Sequence, residues 1–147
     1  MNTEDMAKAY FRDSEFSLRE AKTALKQGLN HRAIRRAQES VELAIKAILR
    51  LIGRDYPKKH EVGSLLEVAL QNLDPPQEIL DALPEIKRIS LNLALKRGPA
   101  FYGDEATLKT PEQLYTKKDA EEAIGYAEYT LKICRKIYAW WEKSKKS

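Results

Sequence analysis

A single cysteine, Cys134, stands in this chain, so no disulfide forms within it and a reducing compartment is expected. Long apolar runs are missing too. No stretch approaches the roughly 20 residues that span a bilayer, and the opening MNTEDMAKAYFRDSEF is acidic and polar, unlike a secretory leader. These absences predict a soluble, cytoplasmic chain with no membrane partner. The only histidines are His31 and His60. Neither has a cysteine or carboxylate at metal-ligand spacing, so no metal site is expected. Gly98 and Gly103 have P-loop spacing, but Asp104 follows where Lys and then Ser or Thr are required. Neither G-x-G-x-x-G nor G-x-S-x-G occurs, and no cofactor is expected.

Against those gaps, 43% of the 147 residues are hydrophobic and 33% charged, which describes one globular domain, residues 1–147, with a real core. Lys and Arg number 26 against 22 Asp and Glu. The resulting +4 permits an anionic partner without demanding one.

Apolar residues recur at helical spacing almost throughout. Ala7, Phe11, Ser14, Leu18, Ala21 and Leu25 form a first stripe, with Thr3, Glu4 and Asp5 as its start and Gly28 as its stop. Asn30 is placed to cap a second helix striped by Ile34, Ala37, Val41, Ala44, Ile48 and Leu51, which Gly53 ends. A shorter helix carries Val62, Leu65, Leu66, Ala69 and Leu73. After the breaker at Asp74–Pro76 a fourth carries Ile79, Leu83, Ile86, Ile89 and Leu93, with Pro84 expected to bend it or delay its start. The last stripe runs through Ala120, Ile124, Ala127, Leu131, Cys134, Tyr138 and Trp141, ahead of a basic tail, residues 143–147, expected to fray. No segment alternates with period two, so no sheet is expected. The pattern predicts an all-α, up-and-down bundle of four main helices plus one short helix. Residues 97–116 read as a long irregular connector.

Three features offer chemistry. In GRDYPKKHEVGSLL, residues Arg54, Lys58, Lys59 and His60 precede a helix start, where partial positive charge favours phosphate. Arg54 with His60 would also suit RNA cleavage, the imidazole taking the 2′-hydroxyl proton. The alternative is a plain turn. On the second helix, Arg35–Glu39 and Glu42–Lys46 are spaced for i,i+4 pairs worth about 0.2–0.5 kcal/mol each; this face is either solvated or a self-association surface. Arg97, Phe101 and Tyr102 combine a cation with two aromatics, a set that either stacks a base or plugs the bundle end. If five helices alternate in direction, Arg54, Lys58, Lys59, His60, Arg97 and Tyr102 converge at one end. Trp140 and Trp141 offer a further apolar contact.

The ordered set AQESVELAIKAILRLIG, PKKHEVGSLL, RGPAFYGDE and YTKKDAEEAIGYAEYTLKI resembles the HEPN domain (higher eukaryotes and prokaryotes nucleotide-binding) from about Ala7 to about Tyr138. The resemblance implies an up-and-down helical bundle, a homodimer, nucleotide or RNA handling, and a minimal nucleotidyltransferase partner in a toxin–antitoxin-like module. Many relatives are metal-independent ribonucleases that use Arg-x4-6-His near the last core helix. Here Arg97 is kept at that place and Tyr102 stands near the histidine position; a phenol, with a pKa near 10, is a poor base at neutral pH. The Arg54–His60 match lies before the third helix. A non-catalytic module that binds nucleotide or RNA phosphate is therefore expected; the alternative is a ribonuclease using Arg54 with His60, or Arg97 with a histidine supplied across a dimer.

Overall fold

The computed structural model describes residues 3–56 and 61–145. Among these, six helices occur and the only β-type pairing is an isolated bridge between Asp104 and Lys109. They are α1 (Thr3–Lys26), α2 (Asn30–Leu51), α3 (Gly63–Gln71), α4 (Gln77–Tyr102), α5 (Pro111–Leu114) and α6 (Lys117–Lys145). The four long ones make the expected up-and-down bundle, and a one-turn α5 joins the expected short helix. Lys143–Lys145, expected within a frayed tail, form the last turn of α6.

Both glycine stops work as anticipated. Gly28 and Gly53 have φ of 76° and 77°, and the following amides, of Leu29 and Arg54, reach back to the carbonyls of Ala24 and Leu49 at 2.9 and 2.8 Å. This six-to-one bond satisfies carbonyls that the helix end leaves open. Asn30 does not cap α2. Leu29 holds that position, and the Asn30 amide instead donates to the Tyr115 carbonyl at 3.4 Å.

α2 is the centre of the molecule, packed by α1, α4 and α6. Its predicted stripe is buried, and so are Ala33, Ile45, Ala47 and Leu49 on other faces. Where α1 crosses α2, the Ser14 hydroxyl donates to the Ser40 carbonyl (2.7 Å) and the Ser40 hydroxyl to the Ser14 carbonyl (2.9 Å). The small side chains allow the approach, and the reciprocal bonds leave neither of these hydroxyls unsatisfied. Cys134 is fully buried, and burial pushes its thiol up to about 12, so it is packing rather than a nucleophile.

The expected connector fails in α4, and Pro84 does not delay its start: the helix begins at Gln77 and runs through Pro84, which sits exposed within it. It also continues through Gly98 and Pro99 to Tyr102, so the irregular connector shrinks to Gly103–Thr110. A proline costs its own amide bond, but here Ala100 is fully buried beyond it, and Phe101 is covered by an arginine from α2.

Candidate functional site

Helix directions decide what converges. α6 runs antiparallel to α1, as Lys22–Glu128 (3.2 Å) and Glu15–Arg135 (3.0 Å) require, and antiparallel to α4 through Lys96–Glu122 (3.7 Å) and the Lys136–Glu78 pair. α3 therefore does not cross the bundle; it stays at the end where α2 stops and α4 begins. The expected convergence of Arg54 with Arg97 and Tyr102 is thus corrected. Arg54 is tied to Leu49 at the foot of α2, whereas Arg97 reaches Gln38. Those two α2 positions lie about 16 Å apart along the axis at 1.5 Å per residue. Lys58, Lys59 and His60 lie outside the described residues. Arg54 is exposed beside Leu65 and Val68 on a shallow hollow of about 180 Å³.

At the opposite pole the cations gather. The Arg35 guanidinium lies 3.4 Å from the Phe101 ring centroid, and the Arg97 guanidinium is 5.5 Å from the same ring. Arg97 Nη1 donates to Gln38 Oε1 at 2.9 Å; Gln38 Nε2 donates to Glu42 at 3.0 Å, and Glu42 pairs with Lys46 at 2.7 Å. The Glu42–Lys46 pair is as expected. Arg35–Glu39 is not: Arg36 takes Glu39 at 2.9 Å, leaving Arg35 to stack on Phe101. Among the described residues no carboxylate pairs with Arg32, Arg35 or Arg97. Burial, followed by the charges of Arg32, Arg36 and Arg97, lowers the Arg35 pKa. A guanidinium with cationic neighbours and no ion pair of its own has N–H donors chemically suited to an anion.

Phe101 and Tyr102 divide the aromatic roles. Phe101 is the platform under Arg35, while Tyr102, its ring centroid 5.9 Å away, is 74% exposed and open to a planar ligand. Two shallow troughs adjoin the cluster along the α1–α2 seam. One, of about 400 Å³, is lined by Phe16, Arg19, Arg32, Arg35 and Arg36; the other, of about 350 Å³, by Asp13, Glu39, Glu42 and Arg97. His31 opens α2 nearby, buried, with Nδ1 lacking a partner among the described residues. Burial first, then Arg32 and Arg35, lower its pKa, opposed by Glu112 of α5. No group of three or more metal-ligating side chains occurs among the described residues, and no helix there is long and apolar enough to cross a membrane.

Sequence reasoning missed Arg32, Arg36 and Gln38, and assigned Arg35 to an ion pair. The signal was present in HRAIRR, residues 31–36, with three arginines in one and a half turns.

A helical bundle of this topology has a family. The model of the HEPN domain matches residues 7–137, and the chain belongs to that family. A candidate toxin of Methanocaldococcus jannaschii is 29% identical over 133 residues, covering 88% of this chain and 86% of that protein. The crystal structure of a Thermus thermophilus protein superposes with a TM-score of 0.70 at 23% identity, over 89% of this chain and 97% of its own. An archaeal HEPN homologue gives 0.65 at 26%, over 88% and 94%.

Proposed function

We propose that this chain is the HEPN component of a toxin–antitoxin-like pair, binding nucleotide or RNA phosphate at the Arg35–Arg97–Phe101 cluster without cutting it. It works in the cytoplasm as a homodimer alongside a minimal nucleotidyltransferase. The observation that carries the reading is the pair of arginines around Phe101, neither in an ion pair with a carboxylate among the described residues. The likeness to a candidate toxin supports the biological setting. Tyr102, where ribonuclease members need histidine, supports binding over cleavage. Phosphate docks on Arg35 and Arg97, and the base stacks on Tyr102.

Isothermal titration with ATP, GTP and a short RNA at low salt tests this. Binding is expected for at least one of them, falling about tenfold or more in Arg35→Ala and Arg97→Ala, the loss of one charged hydrogen bond, and unchanged in Arg54→Ala. No heat with any of the three ligands removes the binding claim. Incubation with RNA in EDTA should leave the RNA intact; cleavage abolished by Arg97→Ala or His60→Ala would make the chain a ribonuclease instead.

A further inference from the structure

We infer that the trough between α1 and α2 holds a second base-stacking subsite, built on Phe16. The ligand is then a single RNA strand of two or more nucleotides rather than a lone nucleotide. The inference rests on the phosphate-binding reading above and extends it along the strand. Phe16 is 55% exposed on α1, and the Arg19 guanidinium, one turn along the same helix, lies 5.5 Å from its ring centroid. An open ring beside a cation stacks a base of any identity and holds the adjoining phosphate. The trough has the size for this: about 400 Å³, against roughly 300–1,000 Å³ for small-ligand sites. It also has the charge. Arg19, Arg32, Arg35 and Arg36 line it, with Glu20 the one carboxylate of its lining. Glu20 lies 3.9 Å from Arg36, which also holds Glu39. Arg19, Arg32 and Arg35 are in no ion pair among the described residues.

Arg35 joins the two subsites. It lines the trough and also lies over Phe101, whose neighbour Tyr102 is the open ring of the first subsite. A phosphate on Arg35 therefore has an aromatic on either hand, Tyr102 of α4 and Phe16 of α1. Base, phosphate, base is the repeat of a strand. The adjoining trough shares Phe16, but there Asp13, Glu20, Glu39 and Glu42 stand with Arg97 alone, and that excess of carboxylates turns a polyanion away. The strand's course is thus from Tyr102 over Arg35 to Arg32, Arg19 and Phe16.

Isothermal titration at low salt with AMP, ADP and the 5′-phosphorylated dinucleotide pApA tests the second subsite. pApA should bind about fivefold or more tighter than AMP, the gain of one added stack. Phe16→Ala should cut pApA affinity by about fivefold or more, at an unchanged melting temperature because the ring is exposed. Phe16→Trp should keep the tight binding, which a merely structural role for the ring would not require. Arg32→Ala should also narrow the ratio of pApA to AMP, while Val68→Ala, an exposed apolar site on α3, should leave that ratio as it is. Equal affinity for AMP and pApA, or a gain that survives Phe16→Ala, overturns the second subsite and leaves phosphate binding at Arg35 and Arg97 standing. ADP matching pApA assigns the gain to phosphate alone and likewise overturns the stack. No heat with any of the three overturns both readings.

Discussion

Gln38 is 2% exposed, yet its amide serves two charged partners, accepting from Arg97 and donating to Glu42. It holds the α4 arginine against α2 and passes that contact to Lys46. Hydrogen bonds to charged groups contribute about 1.5–3 kcal/mol each, and a partner left buried and unsatisfied adds cost. Gln38→Ala should therefore lower stability by about 1.5–3 kcal/mol in urea unfolding; a change under about 0.5 kcal/mol would show that Arg97 and Glu42 find other partners. His31 supplies the pH dependence. Burial, Arg32 and Arg35 hold its pKa below the ordinary value, with Glu112 opposing. As pH falls below about 6.5, the unfolded chain takes up a proton that the native one resists, so the unfolded state gains. Stability from His31 is complete above that pH and is lost as pH falls through the native pKa. Denaturation midpoints compared with His31→Gln should show a slope below about pH 6.5 in the wild type that the variant lacks. Neither residue was assigned a role from the sequence, because a glutamine on a helix and a lone histidine carry no local pattern; the tertiary approach of α4 and α5 brings Arg97 to Gln38 and Glu112 to the neighbourhood of His31.

At the scale of elements, the long stripes were legible because each buries one continuous face, as in Ile79 to Leu93 of α4 and Ala120 to Cys134 of α6. The C-terminal turns of α4 were not. Gly98 and Pro99 are local helix breakers, and the burial of Ala100 and the stacking of Arg35 on Phe101 that outweigh them come from elsewhere in the chain. The crossing of α3 was misjudged for a related reason. Its seat is a contact no periodicity announces: the Val62 and Gly63 amides both donate to the Ser90 hydroxyl of α4, at 3.3 and 3.1 Å. A Cβ on Gly63 would come within 2.8 Å of Lys87 Cα and Ser90 Cβ, and backbone cannot swing aside. Gly63→Ala should cost about 1–3 kcal/mol as an overpacked contact. The melting temperature should drop by about 2–4 °C per kcal/mol, and amide exchange should speed up in α3 before the rest of the bundle. An unchanged melting temperature would mean that α3 is not held to α4 through this contact.

Over the whole molecule, the formal charge of +4 is small, and what distinguishes the chain is that three of its arginines without ion pairs share one pole. Many charges are matched locally: Lys22 with Glu128, Arg135 with Glu15, Lys96 with Glu122. Arg32, Arg35 and Arg97 gather at one pole without carboxylate partners among the described residues, and Arg54 sits at the other. Pairing rules along the sequence could not assign these places, since they follow from α3 staying at one end and reversing the sense of α4 against the five-helix expectation. On the proposed reading, that separation has a thermodynamic signature. Each phosphate of a single strand neutralised by a cation contributes about −0.7 to the slope of log affinity against log salt. RNA binding measured between about 50 and 200 mM salt should therefore lose about 0.7 of slope in Arg35→Ala and again in Arg97→Ala, while Arg54→Ala leaves the slope where it was. A wild-type slope near zero would place the affinity in stacking on Tyr102 rather than in phosphate contacts. A slope that falls with Arg54→Ala instead would move the anion to the foot of α2.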